Sequence, residues 1–127
     1  GPAKGKDFAT ALGPYLLTAD ELHNLDELTM TASVNGEKWT EGRFADRHWD
    51  FRTMISYVSQ EEWVYPGDVL GSGTFYKGCG LDLDRWLEPG DTIELEVKGL
   101  GILRNEIGKP KADRPDKPLT YHGRVKK

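Results

Sequence analysis

The sequence predicts a mostly β fold of the α+β class with one main helix. Three local patterns carry this prediction: a Thr- and Val-rich segment before an Asn-Gly pair, one segment with helical periodicity, and one with strand periodicity. The chain has 127 residues, of which 37% are hydrophobic. A single domain of this size should bury roughly two thirds of the surface of its unfolded chain.

The first predicted elements are a short helical turn and a β-hairpin. Residues 18–21 have the Thr-x-x-Glu spacing of a capping box, which would begin one helical turn. Residues 29–34 are rich in Thr and Val and form the first predicted strand. The Asn-Gly pair at 35–36 provides the positive φ angles of a tight turn before a second strand around residues 38–40.

One amphipathic helix is predicted between Asp50 and Ser59. Apolar residues fall there at i, i+3, i+4 and i+7, namely Phe51, Met54, Ile55 and Val58. Asp46 or Asp50 could cap its N-terminus, because a short carboxylate accepts hydrogen bonds from the first backbone amides of a helix.

Two Pro-Gly-Asp turns predict two further strands. The turn at 66–68 precedes residues 69–70, and the turn at 89–91 precedes residues 92–97. In the latter segment apolar Ile93, Leu95 and Val97 alternate with polar residues, which predicts a half-buried strand. The connection between the turns contains four glycines, Gly71, Gly73, Gly78 and Gly80, which indicate either a flexible loop or one that other groups approach closely. Residues 108–127 are rich in Pro and Lys and are predicted to form a peripheral C-terminal arm.

Composition and charge exclude several classes of function. The chain has 21 acidic and 17 basic residues and a formal net charge of -4, which disfavours nucleic-acid binding because phosphate contacts need a positive surface. Apolar runs are far shorter than the ~20 residues that cross a bilayer, so no membrane role is expected. The single cysteine, Cys79, cannot form an internal disulfide and is expected to pack as a small side chain. A cytoplasmic location is expected.

Short motifs indicate no reaction by themselves. The glycines and lysine of residues 1–7 do not have the spacing of a phosphate-binding loop, and the segment at 71–74 lacks the spacing of a nucleophile elbow. The three histidines do not stand at metal-chelating spacing on a helix, and the acidic pairs at 61–62 and 82–84 are typical of solvated loops.

Several separate segments together closely resemble the fumarylacetoacetate hydrolase family. The resemblance covers about residues 1–107, and the order and spacing of the matching motifs agree with the C-terminal portion of a longer catalytic domain. The matching segments are GPAKGKDFAT at 1–10, LGPYL at 12–16, VNGE at 34–37, PGDVLGSGT at 66–74 and the stretch from Gly90 to Asn105.

This resemblance implies a mixed β-sandwich roll, present here as a partial domain, in a protein that is usually a dimer. It implies a Mg²⁺ ion, or Mn²⁺ or Ca²⁺, which the small-molecule oxo-acid substrate also ligates. The expected reaction is hydrolysis of a carbon–carbon bond in a fumarylacetoacetate- or acylpyruvate-like diketo acid. A metal ion can absorb developing enolate charge while a base activates water.

The resemblance also assigns roles to four residues. Lys6 matches the family's active-site lysine, which stabilises negative charge near the ion. Thr10 matches a hydroxyl residue near the metal, Thr74 a residue that hydrogen-bonds the substrate, and Glu94 a glutamate that orients a histidine general base. That histidine belongs to a segment that this chain lacks.

The family's Glu-x-Glu metal ligands and their partner aspartates lie upstream of the lysine motif, and the sequence has no equivalent of them. We therefore expect the upstream half of the domain as a partner and no activity from this chain alone. Two alternatives remain: a lyase, isomerase or decarboxylase of the same family, or a non-catalytic β-domain that acts as an assembly module. In such an assembly module the four tryptophans would line an interface, although they could equally pack in a core. They are Trp39, Trp49, Trp63 and Trp86.

Overall fold

The computed structural model describes residues 10–109 and contains one antiparallel sheet and one α-helix. The strands run in the spatial order β2-β1-β3-β4, so β1 lies between its hairpin partner and a strand from the second half of the chain. The elements are β1 (Thr29–Val34), β2 (Glu37–Arg43), α1 (Phe51–Val58), β3 (Thr92–Val97) and β4 (Gly101–Glu106), with 3-10 turns at Leu25–Glu27, Phe44–Asp46 and Gly80–Leu83. This arrangement confirms the prediction of a mostly β fold with one main helix.

The predicted hairpin is present, and its turn contacts a distant part of the chain. Asn35 and Gly36 have φ angles of 51° and 80°, as the tight turn requires. The Asn35 side chain donates from Nδ2 to Asp91 Oδ1 at 2.8 Å and accepts from the Thr92 backbone amide at 2.9 Å. These bonds hold the hairpin turn against the second Pro-Gly-Asp turn and set where β3 begins beside β1.

The helix begins where the sequence predicts, and Asp50 is its N-cap. The backbone N–H of Thr53 donates to Asp50 Oδ1 at 2.7 Å. This hydrogen bond to the charged carboxylate lowers the pKa of Asp50. The first helical residue, Phe51, stacks on Phe44 with ring centroids 5.9 Å apart, so α1 packs against the 3-10 turn that follows β2.

One predicted strand is absent and one strand was not predicted. Residues 69–70 form no strand. The turn before them closes as expected, because Asp68 N–H donates to the Tyr65 carbonyl and Asp68 Oδ2 accepts from the Tyr65 amide. The segment that follows pairs with neither sheet edge, and Val69 is 72% exposed. Strand β4 instead follows β3 through a turn in which Gly99 and Gly101 have positive φ angles.

The described residues enclose a small core. Among residues 10–109 only Val34 and Phe44 are buried hydrophobic side chains. The expected alternation along β3 holds in part, because Ile93 and Val97 are half-buried but Leu95, in the middle of the strand, is 46% exposed. Cys79 is exposed, so the expectation that it packs inside is wrong. Much apolar surface of the sheet and helix therefore faces solvent.

The helices of the structure bear on the question of a membrane role. Between residues 10 and 109 there is no helix that is both long enough and apolar enough to cross a bilayer.

We expect Asp50→Ala to lower the melting temperature of the chain at pH 7, because the Thr53 amide loses its acceptor. The folded-state pKa of Asp50 is below its unfolded value, so this stabilisation is complete above the unfolded pKa of about 3.9 and is lost as pH falls through the folded pKa. Thermal unfolding followed by circular dichroism at pH 7 and near pH 2 would measure the difference.

The control for this test is Asp50→Asn, which keeps a capping oxygen without a titratable charge. Its melting temperature at pH 7 should lie between those of wild type and Asp50→Ala, and its difference from Asp50→Ala should not change with pH, since neither variant titrates at residue 50. A difference between wild type and Asp50→Ala that stays constant from pH 7 to pH 2 would contradict the assignment of Asp50 as a charged cap.

Candidate functional site

Thr74, the predicted substrate-binding residue, lies in a cavity of about 390 Å³. The cavity is formed by the C-terminal end of β2, the 3-10 turn after it, α1 and the loop at 72–76. Its lining combines charged groups of both signs with hydroxyl and apolar groups, including Arg43, Arg47, Glu41, Asp46, Thr74 and Met54. Mixed linings of this kind suit a small polar ligand with an apolar part.

The Thr74 hydroxyl is available for a ligand. Thr74 is exposed, and its hydroxyl forms no hydrogen bond with any other residue in the range 10–109. The neighbouring Ser72 hydroxyl instead donates to the Gly73 carbonyl at 3.3 Å. The Thr74 hydroxyl therefore keeps both its donor and its acceptor capacity with respect to the described residues.

The loop that carries Thr74 packs on strand β2 at Gly42, where β2 has no side chain. A Cβ atom at Gly42 would stand only 2.4–2.8 Å from three ring atoms of Phe75, which is closer than non-bonded carbon atoms approach. The Phe75 ring therefore lies directly on the backbone of β2 and places Thr74 at the mouth of the cavity. The sequence contains the glycine, but nothing in its local pattern indicates this contact.

A second contact fixes the following turn to the same strand. Arg85 donates from Nη2 to Glu37 Oε2 at 2.9 Å, and its Nη1 lies 2.9 Å from Glu37 Oε1. The guanidinium also lies 4.1 Å from the centroid of the Trp39 ring. The hydrogen bond in this ion pair lowers the pKa of Glu37 and raises that of Arg85. The loop between α1 and β3 is thus attached to β2 at two places.

The cavity is also lined by three basic residues, Arg43, Arg47 and His48, which sequence reasoning did not single out for this role. Arg47 is committed to the fold, since it pairs with Asp26, donates to the Phe44 carbonyl at 2.9 Å and stacks on the Phe44 ring. Its Nε is buried without a hydrogen-bond partner. Arg43 and His48 form no ion pair with other residues of the described part. The local sequence carries no signal that these side chains meet Thr74.

Glu94 lies elsewhere, on β3, and does not line this cavity. Its carboxylate pairs with Arg104 on the adjacent strand β4. Two nitrogens of Arg104, Nε and Nη2, donate to the same oxygen, Oε1. The distance from Nε is 2.8 Å. Oε2 accepts no hydrogen bond from residues 10–109, so the carboxylate keeps one oxygen for a further donor. The Glu94 side chain is 23% exposed.

Of the two remaining predicted site residues, Thr10 and Lys6, the structure describes only Thr10. Thr10 is exposed at the first described position and does not line the cavity, and Lys6 lies outside the described residues. Within residues 10–109 no group of three or more His, Cys, Asp or Glu side chains could hold a metal ion. The described residues therefore do not by themselves fit the divalent ion that the resemblance implies.

Comparison with known proteins identifies the family to which this sheet, helix and loop belong. Residues 1–108 match the C-terminal domain of fumarylacetoacetate (FAA) hydrolase. The chain belongs to the fumarylacetoacetate hydrolase family. The family expected from the sequence motifs is thereby confirmed.

The chain is similar to enzymes with different reactions. It is 36% identical over 104 residues to a 4-hydroxyphenylacetate degradation bifunctional isomerase/decarboxylase of Salmonella dublin, covering 82% of this chain and 23% of that protein. It is 34% identical over 107 residues to a 2,4-didehydro-3-deoxy-L-rhamnonate hydrolase of Sphingomonas sp. strain SKA58, covering 82% and 37%. The chain thus spans about a quarter to just over a third of the length of these relatives.

Solved structures share the fold. The crystal structure of maleylpyruvate hydrolase from Sphingobium sp. SYK-6 superposes with a TM-score of 0.68 at 26% identity, covering 77% of this chain and 35% of that one. A 2-keto-3-deoxy-D-arabinonate dehydratase, solved in complex with magnesium and 2,5-dioxopentanoate, gives a TM-score of 0.53 at 19% identity over 77% and 35% of the two chains. The predicted fold class, a partial domain of the fumarylacetoacetate hydrolase type, is confirmed.

We expect Gly42→Ala to lower the free energy of unfolding by roughly 1–3 kcal/mol, because the new methyl group overlaps the Phe75 ring. In a chain that already carries Phe75→Ala, the same substitution should cost much less, since the ring is gone. Chemical denaturation of the four proteins of this double-mutant cycle would measure the coupling.

Gly71→Ala is the matched control for this cycle. Gly71 lies in the same loop, has no positive φ, and would place a Cβ with no atom within 4 Å. It should change the stability by less than about 1 kcal/mol. Equal costs of Gly42→Ala with and without the Phe75 ring would contradict the proposed seating of the loop.

Proposed function

We propose that the chain is the C-terminal part of a metal-dependent hydrolase that cleaves a carbon–carbon bond in a fumarylacetoacetate- or acylpyruvate-like diketo acid. The proposal rests above all on the family match over residues 1–108. Its similarity to a didehydro-deoxy-rhamnonate hydrolase and to a maleylpyruvate hydrolase supports hydrolysis of an oxo acid. The proposed domain is residues 1–107, followed by the arm at 108–127.

Thr74 is proposed to bind the substrate. Its hydroxyl is unpaired with respect to the described residues and lies in a cavity that Arg43 and His48 also line. A hydroxyl can donate to a substrate carboxylate or carbonyl oxygen, and the hydrogen bond strengthens when that oxygen gains charge. Lys6 is proposed to supply a positive charge near the same developing negative charge.

Glu94 is proposed to orient a histidine that acts as the general base. The carboxylate must then accept a hydrogen bond from one imidazole nitrogen while the other nitrogen takes a proton from water. The pairing with Arg104 through Oε1 alone is compatible with this role, because Oε2 remains available. Arg104 would restrict the rotation of the carboxylate.

The proposed cofactor is Mg²⁺, with Mn²⁺ or Ca²⁺ as alternatives, held by carboxylates of an upstream segment. Thr10 is proposed to hydrogen-bond a ligand of that ion. A divalent ion in this site would polarise the oxygens of an oxo acid. The magnesium complex of a dehydratase with the same fold agrees with a metal in the fold, and the scarcity of ligand groups in residues 10–109 agrees with upstream ligands.

The upstream half of the domain and a second copy of the protein are proposed as the partners that cover the exposed apolar groups. Trp49, Trp63 and Trp86 are 60–85% exposed, and Leu95 is 46% exposed in the middle of the sheet. Apolar surface of this extent is typical of a contact with further protein. We propose a cytoplasmic homodimer in which each protomer includes that upstream half.

A second candidate is an isomerase or decarboxylase of the same family. The observation that favours it is the 36% identity to the bifunctional isomerase/decarboxylase of Salmonella dublin. The reactions of the first and the second candidate both pass through an enolate of an oxo acid, so Thr74 and Lys6 would stabilise the same kind of charge in either case. Product analysis separates the two candidates, since hydrolysis yields two carbon fragments, decarboxylation yields CO₂, and isomerisation yields neither.

We expect residues 1–127 alone to bind Mg²⁺ or Mn²⁺ only weakly and to show no hydrolase activity, because the carboxylate ligands are proposed to lie upstream. Isothermal titration calorimetry of the purified chain with each ion would measure this. Micromolar affinity for either ion would overturn the proposal that the ligands come from another segment.

In the complete domain, we expect Thr74→Val to lower kcat/KM for an acylpyruvate roughly 10- to 100-fold, because valine keeps the shape but loses a hydrogen bond to a charged oxygen. Lys6→Ala should lower kcat/KM further. Thr40→Val and Lys98→Ala are controls outside the cavity and should leave kcat/KM within about twofold. Wild-type activity in Thr74→Val would remove Thr74 from the proposed site.

A further inference from the structure

Gly78 lies next to Thr74, the one side chain of this loop that the proposed function assigns to substrate binding. A Cβ atom at this position would stand 2.7 Å from Thr74 Cγ2 and 2.8 Å from the Phe75 carbonyl oxygen. Both distances are shorter than real Cβ contacts. The methyl group of Thr74 therefore rests in space that exists only because residue 78 has no side chain.

The loop backbone holds the two residues in this relation. The Gly78 N–H donates to the Phe75 carbonyl at 2.8 Å and closes a turn. Phe75 is itself seated on Gly42 of β2. The position of Gly78 relative to Thr74 is thus set by a backbone hydrogen bond and by a packed ring.

The contact selects a rotamer of Thr74. A threonine Cβ carries a methyl, a hydroxyl and a hydrogen at three staggered positions, and its χ1 rotation is restricted by the branching. With the methyl against Gly78, the hydroxyl occupies a different staggered position. The hydroxyl has no partner among residues 10–109 that would hold it there instead, so the methyl contact is the restraint.

We infer that Gly78 is a positioning residue, which fixes the Thr74 hydroxyl for the oxo-acid substrate by accepting the Thr74 methyl group. The inference rests on the proposed role of Thr74 as a substrate-binding residue. A hydroxyl that is already oriented loses less rotamer freedom when the ligand binds, which increases affinity. Gly78 itself does not touch the substrate.

The test uses the complete domain with bound Mg²⁺ and 2,4-dioxopentanoate, a small acylpyruvate, as the probe. Gly78→Ala should displace the methyl group, change the χ1 of Thr74, and weaken probe binding roughly 2- to 12-fold, the range for one net hydrogen bond. Three-bond couplings to the labelled threonine methyl report χ1. Gly71→Ala and Gly108→Ala are controls, since a Cβ at either position meets no atom within 4 Å.

Thr74→Ser supplies an independent variant that does not strain the backbone. Serine keeps the hydroxyl but has no methyl for Gly78 to receive, so χ1 should become averaged and probe binding should weaken by a similar factor. If Gly78→Ala fails to fold, Thr74→Ser decides by itself.

The outcomes separate this inference from the proposed function. If Thr74→Val binds the probe as wild type does, the role of Thr74 is wrong. If Thr74→Val weakens binding but Thr74→Ser leaves both χ1 order and affinity unchanged, Thr74 binds substrate without help from Gly78, and the inference is overturned. Unchanged χ1 in folded Gly78→Ala would overturn it as well.

Discussion

The hydrogen bonds of Asn35 join the two halves of the sheet across a long separation in the sequence. They join the β1–β2 turn to Asp91 and Thr92, which are 56 and 57 residues away. Loop closure over such a distance costs conformational entropy, which local contacts cannot repay. Because one side chain both donates and accepts at this junction, it fixes the register of β3 beside β1, and β4 then adds to β3 through a short turn.

The loop between α1 and β3 depends on this frame. Its ends are set by the helix and by the Asp91 junction, and its middle is attached to β2 through Phe75 on Gly42 and through Arg85 on Glu37 and Trp39. The loop is therefore held by four contacts with regular structure although it contains no strand of its own. A ligand-binding hydroxyl on a loop gains accuracy from such attachment.

Local sequence patterns predict those elements whose determinants are local. The Asn-Gly turn, the Asp50 cap with its helical periodicity, and the alternation of residues 92–97 each require only neighbours in the chain, and all three elements are present. The strand at 69–70 fails because a β-prone segment also needs an edge with which to pair. Strand β4 was missed because its pattern, with Arg104 and Asn105 beside Ile102 and Leu103, has no clean alternation.

The site was less predictable, because its geometry comes from contacts between distant residues. Thr74 was identified only through the family resemblance, and neither Gly42 nor Gly78 differs in local pattern from Gly71, which contacts nothing. A glycine that provides space and a glycine in open solvent look the same in one sequence. The difference appears only when a Cβ atom is placed on the folded backbone.

The exposed apolar groups and the incomplete set of metal ligands have a common explanation. Leu95, in the middle of the sheet, is 46% exposed among the described residues, and covering it would stabilise the sheet, since apolar burial is the main favourable term in folding. The relatives, about three to four times longer than the matched segment, contain further protein that could provide this cover. If the same upstream segment carries both the covering surface and the carboxylates, folding and metal binding are coupled, and the site around Thr74 becomes complete only when the sheet is covered.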